Sequence, residues 1–159
     1  MAERRLQPAV RVPGSRALTV REARGSDAEA LASLLTELGY PDEPARVAAR
    51  AAELAADAAS IVLVAEDGAG VIGFVAASAM PLLHEDGSWC RLSALAVAEG
   101  RRGEGVGRAL VEAAETFARS RGCRYAEVTS GDRPEREAAH LFYRALGYEE
   151  VSRRFLKDL

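Results

Sequence analysis

Eight residues near the middle of the chain, Arg101-Arg102-Gly103-Glu104-Gly105-Val106-Gly107-Arg108, set three cations around three alternating glycines, directly before a helical apolar pattern. Glycine takes positive φ without a Cβ penalty and lets a ligand come close to the main chain. The first amides of a helix lack intrahelical acceptors and sit at the positive end of its dipole, so such a junction binds anions, phosphate above all. The alternative is a glycine-rich connection with solvated arginines. Spacing excludes two phosphate loops. G-x-G-x-x-G fails from Gly103, because position 108 is Arg, and from Gly105, because position 110 is Leu; a Walker loop needs Gly-Lys before Ser or Thr, and no such pair occurs. What remains is R-x-x-G-x-G, from Arg102 to Gly107.

Other groups able to do chemistry are few. His84 and His140 lie far apart in sequence, and Cys90 and Cys123 lack CxxC spacing, so a metal site is not expected. Tyr143 borders an apolar stripe of Ala139, Phe142 and Leu146, which suits a half-buried core tyrosine or a proton donor with pKa near 10. No general base stands out: Glu85 and Asp86 are acidic loop residues and Ser93 lies within a strand pattern.

The elements that must position these groups follow from periodicity and punctuation. "ALTVREA" alternates as a first strand, and a helix capped at Ser26 or Asp27 ends at Gly39. "EPARVAARAAELAADA" is a second helix, with Pro44 tolerated in its first turn. "SIVLVAED" and "GVIGFVAASAM" form an antiparallel hairpin turning through Gly68 to Gly70, and "SWCRLSALAV" is a fourth strand. The helix after the glycines carries Val106, Leu110, Ala113, Ala114 and Phe117 on one face and ends at Gly122. "RYAEVTS" is a strand, "PEREAAHLFYRALG" a fourth helix, and "YEEVSRRFLKDL" one or two closing strands. The order predicts an α/β (α+β) domain: a mixed, mostly antiparallel sheet of six to seven strands with about four helices on both faces.

The 159 residues suit one domain, read as 17–159, with residues 1–16 as a flexible N-terminal tail lacking the apolar core of a cleaved signal. With 21 Lys+Arg against 24 Asp+Glu the formal charge is -3, which offers no global attraction to nucleic acid or anionic membrane. The stretch from Val71 to Leu83 is too broken by Gly73, Ser78 and Pro81 to span a bilayer. A cytoplasmic, reduced protein is expected.

Two motifs together carry a resemblance that runs from about Leu18 to the C-terminus. The R-x-x-G-x-G loop after a strand ending "LAV", and "AAHLFYRALGYEE" with Ala139, Phe142, Tyr143, Gly147 and Tyr148, are similar to the acyl-CoA and closing-helix motifs of the GNAT superfamily of N-acyltransferases. The resemblance implies acetyl-CoA as donor, its pyrophosphate on the amides of Gly103, Glu104, Gly105, Val106 and Gly107, aided by Arg102 and Arg108. It implies a bulged fourth strand whose backbone at Leu95, Ala96 and Val97 holds pantetheine and polarises the thioester carbonyl; the three could equally be ordinary core residues. It implies Tyr143 as general acid. The asparagine that many members carry at the start of the last helix is replaced by Arg136, which can reach a phosphate instead. The first two helices and "LGYPDEP" would form the acceptor wall, where Tyr40 either contacts substrate or packs on the sheet edge and Asp42 and Glu43 attract a cationic amine. The implied reaction is direct attack of a primary amine, on a small molecule, through a tetrahedral intermediate. A non-catalytic acyl-CoA sensor and a protein-amine acetyltransferase are the alternatives, and an exposed sheet edge leaves a homodimer open.

Overall fold

The computed structural model describes residues 17–131 and 134–159. The proposed N-terminal tail, residues 1–16, lies outside the described residues. The chain divides into two compact units, Met1–Val128 and Thr129–Leu159.

The first unit contains β1 (Thr19–Glu22), α1 (Ala28–Leu38), α2 (Pro44–Ala56), β2 (Ser60–Asp67), β3 (Gly70–Pro81), β4 (Ser88–Val97), α3 (Val106–Ser120) and β5 (Cys123–Val128). Its sheet runs in the order β1-β2-β3-β4-β5. The first four strands are antiparallel neighbours, and β5 joins β4 in parallel after the α3 crossover. Residues 61–65 of β2 are buried without alternation, as expected of a central strand covered on both faces.

One cover is formed by α1 and α2, whose Leu31, Leu34 and Val47 pack with Val64, Phe74 and Ala96 of the sheet. The other is α3, with Leu110, Val111 and Ala114 fully buried. Gly73 explains how closely α3 approaches. A Cβ there would lie 2.9 Å from the Ala96 carbonyl oxygen, 3.1 Å from Leu110 and 3.2 Å from Val106. Only a bare backbone admits the first turn of α3 at that distance from β3.

Local chemistry closes the elements. Gly39 at φ 96° ends α1 while the N–H groups of Gly39 and Tyr40 donate to Thr36 and Leu35. Asp27 stands at the N-cap of α1 as expected, but its carboxylate makes no cap bond to that helix; it accepts from the Arg24 N–H at 2.7 Å and closes the 3-10 turn Gly25–Asp27. In the hairpin between β2 and β3, Asp67 Oδ1 accepts the Ala69 N–H at 2.8 Å and Gly70 takes φ 115°.

The second unit holds a 3-10 turn, Pro134–Arg136, and α4 (Glu137–Ala145). Gly147 at φ 89° follows α4, and the Tyr148 N–H donates back to Tyr143 at 3.0 Å. The expected closing strands are absent among the described residues: five strands form, against six to seven expected, and residues 148–159 carry no regular structure. Tyr148, Val151, Phe155 and Leu156 explain this, because they fall on both parities and no single face of a strand would collect them. A strand also exists only within a ladder, which local propensity cannot supply.

Candidate active site

The site begins at an irregularity in β4. Ala77 pairs with Leu92 and Ala76 with Ala94, so Ser93 is an extra residue, a bulge, and its hydroxyl donates to the Ala76 carbonyl at 3.3 Å. One inserted residue exchanges the faces of a strand. Leu92 before the bulge shares the α3 face with Ala77, whereas Ala94 and Ala96 after it face α1 and α2. Both halves of β4 therefore keep apolar side chains under a helical cover.

Beyond the bulge, β4 has a ladder on one side only. Its pairing with β5 ends at Leu92 and Val128, while pairing with β3 continues to Val97. The Ala98 N–H donates to Ile72 on β3 at 2.9 Å, which by antiparallel alternation turns the backbone groups of Ala96 toward β3 and those of Leu95 and Val97 away. Of the three residues singled out from sequence, Ala96 thus spends its backbone on the ladder. Leu95 and Val97 present theirs to the side that β5 has left, and the Val97 carbonyl accepts from Arg102 Nε at 3.2 Å.

After β4 a 3-10 turn, Glu99–Arg101, leads into the glycine loop. Gly103 has φ 81°, and Gly105, the residue that opens α3, has φ 85° with no side-chain cap on the helix. A Cβ on either would meet no protein atom within 4 Å. Gly107 falls within the first turn. The first helical bond runs from the Ala109 N–H to the Gly105 carbonyl at 3.0 Å, so the amides of Val106, Gly107 and Arg108 have no acceptor within the helix. The Val106 side chain itself is buried beneath them.

The charged side chains here divide by role. Arg101 is enclosed between Asp67, at 2.7 Å, and Glu104, at 2.9 Å. Arg102 is more than half exposed and reaches Glu37 of α1 only at 4.0 Å; Arg108 is similarly exposed, 3.8 Å from Glu112. Glu37 in turn accepts the Glu99 N–H at 2.9 Å, tying α1 to the start of the loop.

On the expected acceptor side, Tyr40 is 66% exposed, which favours a surface role over packing on the sheet edge. Asp42 already has cationic neighbours. It pairs with Arg50 at 2.7 Å and Arg46 at 3.7 Å and accepts the Glu43 N–H, contacts that hold its carboxyl below the usual range, the Arg50 bond most of all.

The second unit carries the phenol. Tyr143 lies on α4 with its ring edge-on to Phe142 and Tyr148, centroids 5.2 and 5.8 Å away. Desolvation raises its pKa above the ordinary value, opposed by the positive charge of Arg136, which precedes α4. His140 Nε2 lies 3.0 Å from the Gly131 carbonyl oxygen.

Thiol chemistry is disfavoured, because burial pushes the Cys90 thiol up to about 11 and raises Cys123 as well. Among the described residues no group of three or more His, Cys, Asp and Glu could hold a metal, and no helix is long and apolar enough to cross a membrane.

The fold that carries this arrangement of bulged strand, glycine loop and uncapped helix is shared with known proteins. A family model described as an acetyltransferase (GNAT) domain matches residues 58–150. The aminoglycoside N(6')-acetyltransferase type 1 of Stenotrophomonas maltophilia is 35% identical over 142 residues, covering 85% of this chain and 88% of that protein. The chain belongs to the GNAT acetyltransferases. A second aminoglycoside N(6')-acetyltransferase type 1, from Klebsiella aerogenes, is 38% identical over 103 residues, 63% of this chain and 65% of its own length. A structure of an aminoglycoside N-acetyltransferase in complex with coenzyme A superposes with a TM-score of 0.79 at 22% identity, covering 93% of this chain and 98% of that one. This GNAT protein is accordingly an acyltransferase.

Three features of the site were missed in the sequence. Gly73 had a signal, a lone glycine inside a strand pattern. The resemblance implied a bulged β4, but its place at Ser93 had no local signal, because the buried positions Cys90, Leu92 and Ala96 keep one parity across it. The Asp67–Arg101 pair had none, because a contact between a hairpin turn and a loop 34 residues later leaves no local pattern.

Proposed function

We propose that this GNAT protein transfers the acetyl group of acetyl-CoA to a primary amine on a small molecule, an aminoglycoside being the acceptor class that its relatives suggest. The single observation that carries the donor assignment is the opening of β4 from β5 after the Ser93 bulge, which leads straight into the uncapped α3. The residues present fit the donor. Gly103 and Gly105 leave open the space a Cβ would fill, and the amides of Val106, Gly107 and Arg108 are unclaimed within the helix. When bound, acetyl-CoA supplies a reactive thioester carbonyl and a thiolate leaving group.

The rest falls to the chain. The loop amides of Gly103 to Gly107, with Arg102 and Arg108, hold the pyrophosphate. The backbone of Leu95 and Val97 takes the pantetheine arm, and an N–H among these groups polarises the carbonyl, a contribution of about 3 kcal/mol where such a donor is preorganised. Tyr143 delivers the proton to the sulfur. Tyr40 contacts the acceptor, and Tyr40→Ala is expected to raise the acceptor KM with the acetyl-CoA KM unchanged; equal effects on both would remove it from the acceptor wall.

The test is thiol release from acetyl-CoA with a panel of aminoglycosides that carry either an amine or a hydroxyl at the 6' position, alongside lysine peptides. Turnover with the 6'-amino compounds alone is expected. Coenzyme A binding without thiol release would favour a sensor, and turnover with peptides alone a protein acceptor.

A further inference from the structure

Two adjacent arginines enter the glycine loop, and nothing in their type distinguishes them. Their surroundings do. The Arg101 side chain is only 24% exposed: Nη1 lies 2.7 Å from Asp67 Oδ2 and Nε lies 2.9 Å from Glu104 Oε2. The Asp67 side chain has no solvent exposure at all. Its other oxygen is committed to the Ala69 N–H, which fixes the carboxylate in the turn between β2 and β3. Arg101 is anchored from its backbone side too, its N–H donating to the Ala98 carbonyl at 2.8 Å. Gly103, at φ 81°, precedes Glu104 directly, and a Cβ on it would meet no protein atom within 4 Å.

We infer that Arg101 is a positioning residue, a clamp that joins the buried Asp67 of the β2–β3 turn to Glu104 and so holds the glycine loop in its donor-binding form, while Arg102 and Arg108 are the arginines that meet phosphate. The reason is geometric and electrostatic. A guanidinium paired through Nε and Nη1 with two carboxylates has its charge neutralised, which leaves it little attraction for a phosphate. A loop with two left-handed glycines has many alternative conformations and needs an outside restraint to keep its amides convergent. Asp67, shielded from water, supplies a fixed point that a surface carboxylate cannot.

The inference rests on the donor reading above, so the test first measures coenzyme A binding to the unaltered protein by calorimetry. No binding there overturns the donor reading and the clamp with it. Given binding, Arg101→Gln and Asp67→Asn are each expected to weaken coenzyme A by on the order of tenfold. The double variant is expected to be no weaker than either alone, because both remove one clamp. The salt dependence of binding should stay that of the parent in both, whereas Arg102→Gln flattens it by removing a charge that faces phosphate. In the unliganded protein, hydrogen exchange at the amides of residues 101, 102 and 109, which donate to Ala98, Glu99 and Gly105, should quicken in Arg101→Gln while those from Leu110 onward hold. Arg101→Lys, which keeps the charge beside Asp67 but loses the fork, should fall between the two and serves if Gln does not fold. The clamp is wrong if Asp67→Asn leaves coenzyme A affinity unchanged or tightens it, for a freed Arg101 would then be the direct ligand. It is also wrong if the amides of residues 101, 102 and 109 exchange at the parent rate.

Discussion

Tyr143 and the loop glycines are the residues on which the chemistry rests, and each separates two roles by a small change. Tyr143→Phe removes one oxygen and keeps the ring edge-on to Phe142 and Tyr148. A general acid is worth about 10² to 10⁴ in rate, so kcat is expected to fall in that range while the melting temperature and coenzyme A affinity hold. A tyrosine that only packs would lose stability and keep kcat. Because desolvation raises the phenol's pKa, the acid form persists past its ordinary titration near 10. No alkaline loss of kcat below that pH should therefore vanish in the Phe variant; one that did would contradict the raised value. Gly103 and Gly105 answer a different question. A methyl at either meets no protein atom, so all of its cost in the unliganded chain is the left-handed φ, about 1 to 2 kcal/mol. Gly100 has open space and no positive φ, and Gly100→Ala is the control, expected to stabilise by about 0.5 kcal/mol by restricting the unfolded chain. Urea titrations of the three variants check the order; equal costs would mean that φ is not what selects glycine in the loop.

Elements place these residues through two contacts, the seating of α3 on β3 and the departure of β4 from β5. Gly73→Ala tests the first. Its Cβ would stand 2.9 Å from the Ala96 carbonyl, a backbone atom that cannot rotate aside, so the helix or the strand must shift. Overpacking of this kind costs about 1 to 3 kcal/mol, and because Val106 lies at 3.2 Å the shift reaches the turn that carries the unclaimed amides. Gly73→Ala is thus expected to weaken coenzyme A binding although it touches no ligand, measurable by calorimetry beside the melting temperature. Loss of stability with unchanged affinity would show that the strain relaxes elsewhere. The bulge from which β4 departs was implied by the resemblance, whereas the seating on Gly73 was not read at all. Helix ends were readable because Gly39, Gly122 and Gly147 stop helices locally, and strands β1 to β5 because their runs are apolar and bounded by turns. The glycine loop was readable for the same reason. Ser93 as a bulge, Arg101 as distinct from Arg102, and the fate of residues 148–159 depend on partners distant in sequence, and the closing strands were over-assigned because β-propensity was credited without a ladder.

Across the whole chain the net charge of -3 is spread over many pairs, and magnitude decides which of them matter to stability. Exposed pairs such as Arg108–Glu112 and Arg144–Glu150 contribute between about 0 and 1 kcal/mol each and weaken with salt. Arg21 is different. It forks onto both oxygens of Asp27 at 2.8 and 3.0 Å and onto Glu66 at 2.7 Å, joining β1, the 3-10 turn before α1, and β2. Asp27 is only 6% exposed and accepts the Arg24 N–H as well. Its bond to Arg21, chiefly, and that of Glu66 to the same guanidinium hold both carboxyls below their ordinary pKa. A depressed folded-state pKa contributes stability that is complete above the unfolded values, about 3.9 for Asp and 4.3 for Glu, and is lost as pH falls through the folded ones. The urea midpoint is therefore expected to hold from pH 7 to about 5 and to fall below about 4. Asp27→Asn, neutral at every pH, should start about 3 kcal/mol lower at pH 7, since it leaves part of a shielded arginine unpaired. Its acid loss should be shallower, so that the two profiles converge as the pH drops. If Asn is too destabilising to measure, Glu66→Gln reports the same convergence from the more exposed side of the fork. Profiles that stay parallel down to pH 3 would show that acid sensitivity arises from other carboxylates and that the Arg21 fork is not what ties β1 to the sheet.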